Sequence, residues 1–92
     1  MSVELDDVFR QNQDTASREI GGLAYVVDPA TAELHGFNEV ATRVWALLDG
    51  ARSLGDVVTC IVDEYDIDRH TAEADVLELL EELSAKHLVV LA

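Results

Sequence analysis

Few side chains in the sequence could carry out chemistry, and they are scattered along the chain. The three histidines, His35, His70 and His87, fall in different predicted elements, without cysteine or acidic partners at the spacing of a metal site. We interpret the first two as surface side chains and His87 as a cation at a helix end. A single cysteine, Cys60, excludes an internal disulfide and a cysteine-based zinc site. No basic residue adjoins it to stabilise a thiolate.

The sequence also lacks the motifs of phosphate-binding, hydrolase and carrier-protein sites. The sequence has neither a glycine-rich phosphate loop nor a nucleophile elbow, and its carboxylates form solvated helix faces. Acyl carrier proteins are also small, acidic and helical, but they need a serine in an Asp-Ser-Leu setting. The nearest match here is Arg52-Ser53-Leu54, in which arginine replaces the aspartate. We therefore predict a protein that is not an enzyme and that needs no metal and no cofactor.

The composition narrows the classes of partner. The 92 residues are enough for one domain, and 49% hydrophobic with 27% charged residues is typical of a folded protein. A net charge of −13 opposes binding to nucleic acid and to anionic membranes. A basic peptide or protein is the natural complement, although acidity also keeps a small protein in solution. Without a membrane-length apolar run or a signal peptide, the expected location is cytoplasmic.

A three-stranded antiparallel meander is predicted for the first half of the chain. Residues 1–14 are polar, and we expect a flexible segment there, in which Val8 and Phe9 either add a short strand or pack loosely. A single domain is expected over 15–92. Glycines between the first two strands and a proline between the next two supply the turns. The predicted strands are 15–20, 23–28 and 33–37, with turns at Gly21-Gly22 and at 28–31.

Three capped helices are predicted for the second half. Asn38, Ser53 and Asp68 are good N-cap residues, and an apolar stripe with i, i+3, i+4 spacing follows each of them. The Asp49-Gly50 pair is expected to end the first helix.

The third helix is the longest, and it is expected to run to about Lys86. Leu77 lies about 100° from Val76 around this helix, at the border of its apolar stripe. It therefore either lines a groove beside an exposed sheet edge or simply widens the stripe. The apolar residues 88–91 would form a short strand or a core plug.

Taken in order and spacing, several segments over residues 15–90 resemble the PqqD family, coenzyme PQQ synthesis protein D and its relatives. Two departures stand out, because Phe37 replaces the usual leucine and His87 stands where a helix-ending glycine is common. The segments that carry the resemblance are Asp28-Pro29, Phe37-Asn38, Trp45, Asp49-Gly50, Asp75-Val76 and Leu88-Val89.

The resemblance implies an α+β fold, similar to a winged helix-turn-helix, with a three-stranded antiparallel sheet followed by three helices. It also implies a non-catalytic adaptor in peptide natural-product or PQQ-type cofactor biosynthesis. Such a protein binds the leader of a ribosomally made precursor peptide as an added strand. It then presents that peptide to a modifying enzyme, often a radical S-adenosylmethionine protein. By position, the binding residues would be Glu33, Leu34, His35, Gly36 and Phe37 on the strand and Ala74, Leu77, Leu80 and Glu81 on the third helix.

Two other classes of function fit the same elements. A winged-helix DNA-binding protein would need exposed basic residues on its recognition helix, yet the second helix has none between Leu54 and Tyr65. A dimerisation module would pair the same edge strand with a second copy, and a homodimer would not exclude the adaptor role. Within that strand, Gly36 either gives a peptide close access to the backbone or marks a bulge.

Overall fold

The computed structural model describes residues 3–28 and 30–92, so Pro29 of the predicted turn at 28–31 lies outside the described residues. Six strands and three helices occur within these ranges, and they form an α+β fold with antiparallel sheets, as predicted. In chain order the elements are β1 (Val8–Gln11), β2 (Ala16–Ile20), β3 (Leu23–Asp28), β4 (Glu33–Gly36), α1 (Glu39–Leu47), β5 (Asp49–Ser53), α2 (Leu54–Tyr65), α3 (Arg69–Ala85) and β6 (Val89–Leu91).

The predicted meander is present as a sheet with the order β2-β3-β4. Gly21 and Gly22 join the first two strands with φ angles of 61° and 82°, the left-handed values that a two-residue hairpin turn needs. In the central strand, Ala24 and Val26 are buried, whereas the alternate side chains face away from the core. The sheet therefore packs one face on the helices. The outer sides of its two edge strands, β2 and β4, are not paired with any further strand among the described residues.

Short strands were among the alternatives given for Val8 and Phe9 and for residues 88–91, and both are present, but their pairing in a second sheet with the order β5-β1-β6 was not predicted. Its middle strand lies in the segment that was expected to be flexible, and Phe9 there is 4% exposed. The Asp49-Gly50 pair follows the end of α1 as expected but also begins β5. These strands are three to five residues long and pair residues that are distant in sequence, such as Phe9 with Leu91. Such short segments show too little alternation to be identified locally.

The three predicted N-caps are all present. The Asn38, Ser53 and Asp68 side chains accept backbone N–H groups three residues on, at 2.8, 3.2 and 2.9 Å respectively. The Thr71 hydroxyl and backbone N–H donate to the Asp68 carboxylate, and these hydrogen bonds hold the pKa of Asp68 below its usual value.

Helix α3 ends in a Schellman motif in which His87 takes the place of the usual glycine. His87 has a φ of 59°, its N–H donates to the Ser84 carbonyl at 3.1 Å, and the Leu88 N–H donates to the Leu83 carbonyl at 3.0 Å. The left-handed backbone conformation of His87 thus ends α3 and directs the chain into β6.

Candidate functional site

Strand β4 is one open edge of the first sheet. It pairs with β3 in an unbroken antiparallel register in which Val26 lies opposite His35 and Val27 opposite Leu34. This register excludes the bulge considered for Gly36. Instead, a Cβ atom added at Gly36 would lie 3.4 Å from the Tyr25 ring, so the aromatic side chain covers the glycine from the neighbouring strand.

The backbone of β4 offers hydrogen-bonding groups to an incoming strand. The Phe37 N–H donates to the Ala24 carbonyl at 2.9 Å, which fixes the phase of the β3–β4 ladder. Because bonded and non-bonded pairs alternate in antiparallel sheets, His35 also bonds toward β3. Leu34 and Gly36 consequently direct their N–H and C=O groups away from the sheet. The open edge presents two donors and two acceptors in the spacing that a further strand requires.

A groove of about 380 Å³ separates this edge from α3. Its strand side consists of Leu34, His35, Gly36 and Phe37, and Leu34 is 63% exposed. The helix side consists of Leu79, Glu82, Leu83 and Lys86, at positions that share one face of α3. The groove thus places one exposed carboxylate and one exposed ammonium group beside the exposed Leu34 and the half-buried Leu79.

The structure brings together the strand residues of the predicted site but not the helical ones. Four of the five strand residues line the groove, and Glu33 lies at its margin, with its carboxylate 3.6 Å from the His35 ring. Two side chains there differ from expectation, since His35 is half-buried rather than at the surface and Phe37 is buried.

The predicted helical residues lie on other faces of α3. Leu80 is fully buried in the core, and Leu77 lies about 200° around the helix from Leu79, so it cannot face the same groove. Leu77 packs partly buried against the core, as in the alternative in which it widens the apolar stripe, and its part in peptide binding stays a prediction. None of the four predicted helical residues lines the groove: Ala74, Leu77, Leu80 and Glu81.

The groove residues Leu79 and Leu83 were present in the sequence as members of the apolar stripe of α3. Nothing in that stripe distinguishes side chains that face the core from those that face a groove. The distinction depends on where β4 lies beside the helix, and here it leaves Leu79 half-buried.

Several contacts hold β4 in place beside the helices. The rings of Phe37 and Trp45 meet edge to face, with centroids 5.6 Å apart and an interplanar angle of 74°. The buried Thr42 hydroxyl accepts the Ala24 N–H at 2.9 Å, which ties the central strand to α1. Gln11 donates its side-chain amide to the Trp45 carbonyl at 2.8 Å and so joins β1 to the same helix. The edge strand is therefore supported by packing on one side and is open on the other.

The strongest side-chain ion pair lies away from the groove. Arg43 on α1 forms a bidentate contact with Glu64 on α2, with N–O distances of 2.8 and 3.0 Å. The hydrogen bond from Arg43 holds the pKa of Glu64 below its usual value. In the same direction, the backbone N–H groups of Ala51 and Arg52 lower the pKa of Asp49.

The described part of the chain shows no cluster of three or more histidine, cysteine, aspartate or glutamate side chains arranged to hold a metal ion. Among these same residues, no helix is both long enough and apolar enough to cross a membrane.

Comparison with known families identifies the family of the chain. The family model of coenzyme PQQ synthesis protein D (PqqD) matches residues 24–89, which include β4 and α3. The chain belongs to the PqqD family. No curated protein sequence matches it significantly.

Three solved structures share the fold. TbiB1, in complex with the TbiA(beta) leader peptide, is 28% identical with a TM-score of 0.80, and the match covers 87% of this chain and 93% of that one. Lasso peptide synthetase B1, complexed with its leader peptide, is 22% identical with a TM-score of 0.79, over 89% and 96% of the two chains. The PqqD truncation of Methylobacterium extorquens PqqCD, described as a stand-alone recognition element of ribosomally synthesized and post-translationally modified peptides, is 22% identical with a TM-score of 0.78, over 95% and 93%.

Proposed function

We propose that this protein binds the leader of a ribosomally made precursor peptide by adding it as a strand to β4. The observation that carries the proposal is the open edge at Leu34 and Gly36, which lies directly beside the groove that separates β4 from α3. Main-chain hydrogen bonds at such an edge supply affinity with little demand on sequence, and the pockets beside it select alternate side chains. TbiB1 and lasso peptide synthetase B1, which share the fold, were both determined with leader peptides.

The proposed binding residues come from both sides of the groove. The backbone N–H and C=O groups of Leu34 and Gly36 point outward and would form the hydrogen bonds to the peptide. Apolar contact falls to Leu79 and Leu83 on α3, with Lys86 at the helix end of the groove. A net charge of −13 favours a leader that carries basic residues.

The same proposal gives the protein no catalytic step of its own. Its task is to present the bound peptide to a modifying enzyme, for which a radical S-adenosylmethionine protein in the cytoplasm is the class suggested by the family. The family relationship does not assign the pathway to PQQ itself. A winged helix-turn-helix relationship belongs to this proposal as well, supported by the short connection of residues 66–68 between α2 and α3.

A second candidate function uses the same edge. Two copies could pair β4 with β4 and form a homodimer, and the 63% exposure of Leu34 favours this alternative. A peptide and a second copy would then compete for Leu34 and Gly36. Solution mass measured with and without peptide distinguishes a constitutive dimer from a monomer that binds peptide.

An amide NMR titration tests the adaptor function. The probes are synthetic leader peptides of the short precursors encoded beside the gene, with a scrambled peptide of equal charge as the control. We expect shifts concentrated on 33–37 and on the groove face of α3, and no shifts with the scrambled peptide. Shifts confined to another surface, or none with any neighbouring leader, would contradict the proposal.

A further inference from the structure

We propose that a second groove, between α1 and α3, binds the part of the peptide that continues past the end of β4, and that it selects an apolar side chain flanked by lysine or arginine. This inference rests on the proposed function, because it concerns the same peptide. The groove has a volume of about 420 Å³. That volume lies within the roughly 300–1,000 Å³ that ligand pockets span.

The floor of this groove is apolar. Val40 and Val44 of α1 face Val76 and Leu79 of α3, and Ile67 closes one end from the connection between α2 and α3. Val44 and Val76 are buried, whereas the other three side chains are only half-buried. An apolar side chain placed here would remove their remaining exposed surface from water.

The rim of the groove is acidic. Asp75, Glu78 and Glu82 lie along one face of α3 and line the groove. Four ion pairs occur within residues 3–28 and 30–92, and none of them involves these three carboxylates. Arg43 on α1 and Arg69 at the start of α3 are already paired with other glutamates. A lysine or arginine of a bound peptide would therefore meet carboxylates that have no internal partner.

The two grooves are continuous. Asn38, Ala41, Leu79 and Glu82 line both of them, at the point where β4 passes into α1. A peptide that adds to β4 and extends beyond Phe37 must cross this shared region. Its next residues then lie over the apolar floor, so the strand and the anchor belong to one peptide.

Short peptides test the α1/α3 groove without relying on strand addition. The probes are acetyl-Arg-Leu-Arg-amide, acetyl-Glu-Leu-Glu-amide and acetyl-Arg-Gly-Arg-amide, each titrated while methyl NMR signals are followed. We expect only the first to shift Val40, Val44 and Ile67 in a saturable manner. Equal shifts from Arg-Gly-Arg, or no shifts from Arg-Leu-Arg, would overturn the apolar anchor.

A charge variant tests the rim with the same probe. Asp75→Asn with Glu78→Gln changes two carboxylates that line only this groove, and it should weaken Arg-Leu-Arg binding about fivefold. The control variant, Asp63→Asn with Glu81→Gln, makes the same change in net charge at two exposed residues outside both grooves and should leave binding unchanged. Equal weakening by both variants would overturn the rim assignment.

The leader peptide then distinguishes failure of this inference from failure of the proposed function. Truncation of the end that passes Phe37 should abolish the Val40 and Ile67 methyl shifts while the amide shifts of Leu34 and Gly36 remain. If the leader binds to β4 without shifting the Val40 and Ile67 methyl signals, the inference about the α1/α3 groove is rejected and strand addition is retained. Absence of leader shifts at β4, with Arg-Leu-Arg still bound, would reject strand addition and retain the groove.

Discussion

The two edges of the first sheet, β2 and β4, carry similar backbones in different surroundings. Every residue of β2 is exposed, and the cleft beside it is about 230 Å³, with the charged side chains of Arg18 and Glu19 in its lining. Beside β4 lies α3, which supplies a larger groove with Leu79 and Leu83 in its wall. Both edges offer outward N–H and C=O groups, but they face different helices: Leu79 of α3 lies beside β4, whereas Trp45 and Ala46 of α1 line the cleft at β2.

The comparison shows that an open edge alone does not define a binding site. Backbone groups pair with almost any extended chain, so selectivity must come from the side chains next to the edge. The charged residues of β2 are of the kind that discourages pairing between sheets. At β4, the exposed Leu34 and the half-buried Leu79 lie beside the edge instead.

The difference between the two edges can be tested by removing one outward-pointing backbone N–H group from each of them. Proline at Leu34 deletes an N–H that faces away from β3, a position that an edge strand tolerates. We expect Leu34→Pro to weaken leader binding at least about tenfold, since a donor and a side chain are both lost. Fluorescence anisotropy with a labelled leader measures the effect.

The matched control is Ser17→Pro on β2. The hydrogen bond of Phe37 fixes which residues of β3 bond toward β4 and which bond toward β2. In the register of β2 with β3, Ser17 then lies at a position whose N–H points away from the sheet, as the Leu34 N–H does. This variant should bind the leader like the unaltered protein. Equal losses from both proline variants would show that the β4 edge has no special role.

A pair of leucine variants sharpens the comparison at the helix. Leu79 lines the groove beside β4, whereas Leu77 is also half-buried but lies on another face of α3. Leu79→Ala should weaken leader binding about fivefold through lost apolar contact, and Leu77→Ala should not. Isothermal titration calorimetry of both variants, with thermal unfolding to match their stability, tests the assignment. A larger effect of Leu77→Ala would restore the face first predicted.

Acid should weaken the scaffold that both edges share. The pKa values of Asp68, Glu64 and Asp49 are lowered in the folded chain. Groups of this kind stabilise the fold above their unfolded pKa, and that stability is lost as the pH falls through the folded pKa. We expect Tm to fall on acidification from neutral pH through the ordinary aspartate and glutamate range, roughly pH 4 and below.

The variant Asp68→Asn separates the cap from its titration. Asparagine is an equally good N-cap, so Tm near neutral pH should change little. The acid-induced fall in Tm should be smaller, because one lowered pKa has been removed. An unchanged pH profile in differential scanning calorimetry would contradict the part assigned to Asp68.

The smallest effect is expected at the end of α3. His87 adopts a φ of 59°, which glycine adopts without the steric cost that a side chain imposes. His87→Gly should stabilise the protein by about 0.5–1 kcal/mol in urea unfolding, while leader binding stays the same. The control is Lys86→Gly, one residue earlier at a φ of −92°, which should not stabilise.

Much of the fold could be predicted from local sequence. The strand over Leu23–Asp28 alternates clearly, the Gly21-Gly22 pair marks its hairpin, and Ser53 caps a helix whose observed range is Leu54–Tyr65. Each of these signals is contained within a few neighbouring residues. The α+β class followed from them, whereas the candidate edge at β4 was implied by the resemblance to the PqqD family.

The features that were missed depend on distant contacts. The second sheet pairs Phe9 with Leu91 across nearly the whole chain, so the local sequence allowed both short strands but gave no signal that they pair. The α3 residues that line the groove also differ from those expected to bind the peptide, because the choice between Leu77 and Leu79 depends on where β4 lies. Sequence periodicity identifies an apolar face, but the tertiary fold decides what that face contacts.

The most direct test of strand addition is amide hydrogen exchange at the two edges of the sheet, measured with and without leader peptide. Strand addition predicts that the Leu34 and Gly36 amides, which point outward, become protected when the leader binds. The Ser17 and Glu19 amides at the other edge should exchange as they do in the free protein. Leader binding that leaves Leu34 and Gly36 unprotected, or that protects β2 instead, would contradict the account.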